Sequence, residues 1–208
     1  MSSCNDTANL EAIQDLPENS RLVSVKLLDS LGNLTFYIPN RYDTNFTWTH
    51  YTDCGKPCAQ EKYRFQPKTL PITKESGFIW HGEPKDSIER FTISHSAAPF
   101  PFSDGDTGRI IMEGKHETAQ LRADPDNPPI VFDTAESINH RYFFIIVLSK
   151  FDTLKSQYSR KVLAMTTIRN NNIKFQYELM TRRNDSLTEN FIKNSINLLR
   201  TIRISNGI

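Results

Sequence analysis

An α+β fold, an antiparallel β-sheet packed against helices, is what this 208-residue chain predicts. Three observations carry the prediction. Short runs of alternating or β-branched residues recur through the first half, two β-rich runs flank Asn170-Asn171-Asn172, and a capped amphipathic pattern closes the chain.

Arg21 to Asp29 reads as a strand in which Leu22, Val23, Val25, Leu27 and Leu28 form a mostly buried pattern. Ser30-Leu31-Gly32-Asn33 supplies turn chemistry, and Leu34 to Ile38 is the return strand, stopped by Pro39. Thr44 to Tyr51 alternates Phe46, Trp48 and His50 against Thr and Asn, and Glu61 to Gln66 sets Tyr63 and Phe65 on one face. Gly77 to His81 and Ile88 to His95 are further short strands.

From Ala97 to Pro129, prolines and glycines interrupt the pattern, and only Arg109 to Leu121 is fit for a regular element. Order returns at Arg141 to Lys150, whose continuous apolar run predicts a strand covered on both faces. Lys161 to Arg169 and Ile173 to Arg182 form a hairpin, because asparagine tolerates the left-handed backbone of a tight turn. Ser186-Leu187-Thr188-Glu189 is a capping box opening a helix over 186–204, with Leu187, Phe191, Ser195, Leu198 and Ile202 on one stripe. Nothing repeats at solenoid spacing. The expected organisation is a flexible tether over 1–20 and a single α+β domain over 21–208, with a Pro/Gly-rich excursion at 97–129.

Composition narrows the function. Lys+Arg 25 against Asp+Glu 24 leaves a net charge of +1, without the basic excess from which nucleic-acid binders draw most of their affinity. The longest apolar run, Tyr142 to Ser149, is far short of the ~20 residues that cross a bilayer.

The three cysteines bear on location. Cys54 and Cys58 sit in Asp-Cys-Gly-Lys-Pro-Cys, where Gly55 and Pro57 favour a tight turn. A disulfide, two reduced thiols and two metal ligands are the available readings. The disulfide is preferred, and it implies an oxidising compartment. So short a loop gives little entropic stabilisation, so the bond would pin a turn rather than hold the fold. Met1-Ser2-Ser3-Cys4 resembles the cleavage box of bacterial lipoproteins, with Met1 where an aliphatic residue is usual. Cys4 is therefore the expected lipidation site, and the polar stretch behind it is the expected tether.

Three segments resemble the PsbP-like fold, shared by a photosystem II subunit family, a Ran-binding import factor and DcrB-like bacterial lipoproteins. Gly32 to Pro39 is similar to its opening strand, Lys161 to Leu179 to its last hairpin, and Phe191-Ile192 with Ser195-Ile196 through Ile204 to its closing helix. The resemblance implies an antiparallel sheet between helices. It implies little chemistry, because the fold carries binding and assembly roles on different surfaces.

Catalytic signals are sparse. There is no Gly-x-Ser-x-Gly elbow and no clustered glycine loop, and Ser94 and Ser96 point to the strand face opposite His95. His50, Cys54 and Cys58 are the alternative zinc set, lacking the second ligand pair that a structural site needs. The acidic turns at Asp104 to Thr107 and Asp124 to Asn127 miss calcium-loop spacing and read as turn formers. Basic residues crowd the last quarter (Arg160, Lys161, Arg169, Lys174, Arg182, Arg183, Lys193, Arg200, Arg203) and read as solvated strand and helix faces rather than one electropositive surface.

The function expected from these residues is a noncatalytic cell-envelope lipoprotein domain that binds a protein partner. It is held to the membrane by lipid alone, facing the periplasm or the outside, and needs no cofactor and no nucleic acid. Phe100, Phe102, Asp104 and Asp106 are the candidate partner contacts. The alternative is a small-molecule or zinc binder at His50, Cys54 and Cys58.

Overall fold

The computed structural model describes residues 16–17, 19–51, 58–74, 87–96 and 106–205. Cys4, Cys54, Phe100, Phe102, Asp104, most of the expected tether and the expected strand at Gly77 to His81 lie outside them.

The strands are β1 (Ser20–Leu27), β2 (Gly32–Pro39), β3 (Thr44–His50), β4 (Gln60–Gln66), β5 (Ile88–Ser96), β6 (Ile130–Ile138), β7 (Arg141–Asp152), β8 (Gln157–Ile168), β9 (Asn171–Thr181) and β10 (Arg203–Ser205). The helices are α1 (Thr107–Ala123) and α2 (Ser186–Leu199). Two antiparallel sheets result, one ordered β1-β2-β10 and the other β3-β4-β5-β9-β8-β7-β6. The α+β class is as the sequence predicts.

The larger sheet is the middle layer. On one face, Phe91, Ile93, Phe143, Ile145, Val147, Val162, Phe175 and Tyr177 meet Leu34, Phe36 and Ile38 of β2 and the inner stripe of α2. Phe36 packs edge-on against Phe65 and Phe91 at 5.7 and 5.4 Å, joining the two sheets through ring contacts. On the opposite face, α1 covers a smaller cluster of Ile110, Phe144, Ile146, Leu148, Leu163 and Met165. That is why β7 is apolar at consecutive positions: residues 143–148 are buried on both sides.

Turn chemistry sets the hairpins. The β8–β9 turn places Arg169 and Asn170 at φ 47° and 64°, the paired left-handed geometry that matches strand twist. The tip is thus Arg169-Asn170, one residue earlier than the asparagine triplet suggests, and Asn171 and Asn172 already pair with Ile168 and Thr167. Asn139 and His140 take the same geometry between β6 and β7.

Several expectations are corrected. The helix does not run to residue 204. It ends at Leu199, where Thr201 Oγ1 donates to Leu198 O at 2.6 Å and accepts from the Tyr37 amide at 3.0 Å, turning the chain into β10 against β2. Its cap is Asp185 rather than Ser186, the carboxylate accepting from the Thr188 amide at 2.9 Å. The regular element expected at Arg109 to Leu121 is the helix α1, which is longer by two residues at each end and is capped by Asp106 through the Arg109 amide at 3.2 Å. β6 and β10 are strands that sequence pattern does not reveal. β1 is covered on one face, so Leu22 on its outer face is 49% exposed, and Leu28, in the turn that follows, is 49% exposed as well.

Candidate functional site

His50 closes β3 opposite Gln60, and exposed Cys58 lies just before β4. Cys58 has an interaction partner and is not a free thiol. Among the described residues, no three His, Cys, Asp or Glu side chains gather as a metal site. Asp106, an expected partner contact, is exposed and caps α1 through Oδ1. Asp124 is likewise structural: its carboxylate accepts from the Asp126 amide at 3.0 Å and the Asn127 side chain at 2.9 Å, a local turn.

The basic residues of the last quarter disperse. Lys161 joins Arg90 around Glu178, Lys174 meets Glu117 of α1, and Arg200 meets Glu136 of β6. Arg160 donates to Glu189 O and Arg169 to Ser30 O. These contacts lie on both faces and at opposite ends of the molecule, so they form no single electropositive surface.

The aromatic strand residues divide by face. Tyr63 and Phe65 enter the main core. Phe46 and Trp48, 5.4 Å apart, lie on the other face of β3 and are sheathed by cations. Arg64 sits 4.8 Å from the Trp48 ring, Lys62 5.9 Å from it, and Lys74 5.5 Å from Phe46. Arg64 is itself buried and bonded to Thr92 and Thr73, which identifies this arrangement as packing.

His95 does not work with its neighbouring serines. It is buried, its Nε2 is 3.3 Å from the Tyr63 hydroxyl, and its Nδ1 is 3.1 Å from Ser96 O. Since a carbonyl only accepts, Nδ1 donates to Ser96 O, and in the neutral ring Nε2 is then the acceptor for the Tyr63 hydroxyl.

One of the pockets among the described residues, of about 180 Å³, opens beneath α2. It lies between the inner stripe of α2, the centre of β9 and the segment joining β2 to β3. Leu187, Phe191, Leu198, Pro39, Tyr42 and Tyr177 are among the residues that line it. Tyr177 stacks on Phe91 at 4.1 Å, which fixes its ring. Its hydroxyl is buried and, among the described residues, has no hydrogen-bond partner. An unpaired hydroxyl in such a place costs roughly 1–3 kcal/mol. Burial, and then the nearby Tyr42, push the Tyr177 hydroxyl well above its usual pKa, so it stays protonated and able to donate. At the rim, Arg41 pairs with Glu89, leaving the mouth near neutral. Sequence patterning missed this site because Tyr177 reads simply as a core aromatic at an alternate strand position.

The fold and these features define an α+β sandwich with a small pocket, open to solvent, beside its main core. In the comparison with solved structures, the solution structure of cyanobacterial PsbP (CyanoP) from Synechocystis sp. PCC 6803 covers 99% of this chain and 99% of its own, at 11% identity and a TM-score of 0.48. No protein-family model and no curated protein matches the chain.

Proposed function

We propose that this chain is a noncatalytic, cell-envelope lipoprotein domain, anchored through Cys4, that acts by binding a protein partner. The observation that carries the binding half is the outer edge of β6. Among the described residues this strand ends the seven-stranded sheet, and Val131 and Phe132 are 55% and 43% exposed along it. An open edge offers backbone donors and acceptors to an extended segment of another chain, with side-chain contacts choosing the segment. A register irregularity between Ile130 and Phe132 blunts one end, leaving 133–137 as the straight stretch that accepts a strand. Phe100, Phe102 and Asp104 add contacts ahead of α1, and a Cys54–Cys58 disulfide pins the turn before β4.

The zinc reading of His50, Cys54 and Cys58 is weaker, because Cys58 is already engaged. Intact mass of the protein made from its full-length gene in its native cell tests the address. A diacylglyceryl-plus-acyl mass on a chain starting at Cys4, with two hydrogens lost from Cys54 and Cys58, is expected; three free thiols and no lipid would overturn it. A photocrosslinking residue at Phe132 tests the edge. It is expected to give a discrete adduct that the same residue at Lys193, exposed on α2, does not give.

A further inference from the structure

We infer that the tip of the β7–β8 hairpin is a contact site for an anionic lipid surface, with Leu154 entering the headgroup layer inside a collar of Lys150, Lys155 and Arg160.

The tip projects from the sheet. Ile130, the first residue of β6, pairs with Leu148, and Thr181, the last of β9, pairs with Tyr158. Phe151 to Gln157 therefore extends past both neighbouring strands. Its shape is set by a local turn: the Asp152 carboxylate accepts from the Leu154 and Lys155 amides at 3.0 and 3.1 Å, and Ser156 takes φ 48° as the chain returns. That turn holds Leu154 at the apex, 97% exposed.

A lone exposed leucine calls for no explanation, but this one has apolar company. Phe151, 48% exposed, lies 4.6 Å from the Tyr158 ring directly across the hairpin. An apolar apex backed by a tyrosine matches the order of a membrane boundary, where tyrosine sits at headgroup level.

Charge points the same way. Lys150 and Lys155 are exposed beside Phe151 and Leu154, and Arg160 lies 5.6 Å from the Tyr158 ring. Arg160 donates to a carbonyl, Glu189 O, a bond that leaves its charge in place. The acids here serve backbone amides: Asp152 in this turn, and Asp124, which lines a pocket with Lys150, in its own. Lysine and arginine stems run along apolar surface while their charges meet lipid phosphates.

The convex shape selects lipid over a protein. A protruding knob lacks the flat surround that excludes water at a protein hot spot, whereas headgroups part to admit it. Only side chains enter, since the polar backbone of an irregular turn stays out of hydrocarbon. This contact goes beyond the Cys4 anchor and does not rest on it, because the tip is built entirely from β7 and β8.

The full-length chain without lipid is floated with vesicles of phosphatidylglycerol and phosphatidylcholine in equal parts, and with phosphatidylcholine alone. Binding to the mixed vesicles that weakens as salt rises is expected, with far less binding to the neutral ones. Leu154→Ser is expected to lower affinity about five- to tenfold without changing charge, and Leu154→Trp to restore or raise it. Lys155→Glu is expected to cost about tenfold. Lys26→Glu makes the same charge change on β1, beside the turn that Arg169 touches at the far end of β8, and is expected to cost little. These side chains are exposed, so melting temperatures should match the parent. No binding to mixed vesicles would overturn the proposal, as would Leu154→Ser binding like the parent or Lys26→Glu weakening binding as much as Lys155→Glu. A dimer in sedimentation that Leu154→Ser dissolves, with no vesicle binding, would give the tip to a second copy instead. Neither β6 nor lipid on Cys4 enters the readout, so failure here leaves those readings untouched.

Discussion

The Tyr63 hydroxyl accepts the Leu28 amide at 2.8 Å while lying 3.3 Å from His95 Nε2. One phenol oxygen thereby fastens the turn of the β1–β2 hairpin to two strands of the larger sheet. Tyr63→Phe removes both bonds and leaves the buried imidazole nitrogen without its donor. A loss of about 1–3 kcal/mol is expected, read by urea denaturation. An unchanged midpoint would mean that the small sheet does not depend on this link.

Glu178 makes stability depend on acid. Burial alone would raise its pKa, but Arg90, and then Lys161, outweigh burial and lower it from 4.5 to about 2. Because the folded value is the lower one, this contribution is fully present above the unfolded value and disappears as pH falls through about 2. The difference corresponds to about 3 kcal/mol. Glu178→Gln is expected to lower stability at neutral pH by a similar amount, since it leaves Arg90 and Lys161 without their carboxylate. The acid-induced decline should also be shallower in the variant. Parallel decline of both proteins between neutral pH and pH 2 would remove Glu178 as the cause.

Gly114 sets how closely α1 approaches the sheet. A Cβ built there overlaps the Phe144 ring, so only glycine allows this contact. Gly114→Ala gains helix propensity but must displace α1 or the ring, and a net loss of roughly 1–3 kcal/mol is expected. Adding Phe144→Leu should restore part of that loss in thermal unfolding. If Gly114→Ala alone raises the melting temperature, the close packing of α1 is wrong.

Thr201 ends α2 and holds β2 at once. Thr201→Val keeps the shape while removing the acceptor for the Tyr37 amide and the donor to Leu198 O. About 1–2 kcal/mol should be lost, with faster hydrogen exchange at Tyr37. Exchange at Tyr37 no faster than in the parent would show that this hydroxyl does not protect β2.

The elements legible in the sequence are those with a strong local signal. Residues 143–148 of β7 are buried on both faces and so read as one apolar run. The inner stripe of α2 matches the helical period because a single partner surface covers it. β6 escaped notice for the opposite reason: most of it faces solvent, so it carries little alternation. The start of α1 was obscured by the surrounding prolines and glycines, although Asp106 ahead of it was a usable N-cap signal. Ile202 and Ile204 extend the apolar stripe of α2, so periodicity carried the predicted helix past the point where Thr201 turns the chain.

By itself the sequence determined the α+β class, the hairpins, the covered strand and the presence of a C-terminal helix, since each rests on periodicity and turn chemistry among near neighbours. It also supplied the cysteine pattern on which the envelope reading stands. Only the tertiary structure decided that the basic residues disperse into separate contacts, that Trp48 is sheathed by Arg64 and Lys62, and that the Tyr177 hydroxyl is buried without a hydrogen-bond partner among the described residues. Those outcomes depend on how surfaces far apart in the chain fit together. A side chain's environment is set by the shape left between packed elements, and no local pattern encodes that gap.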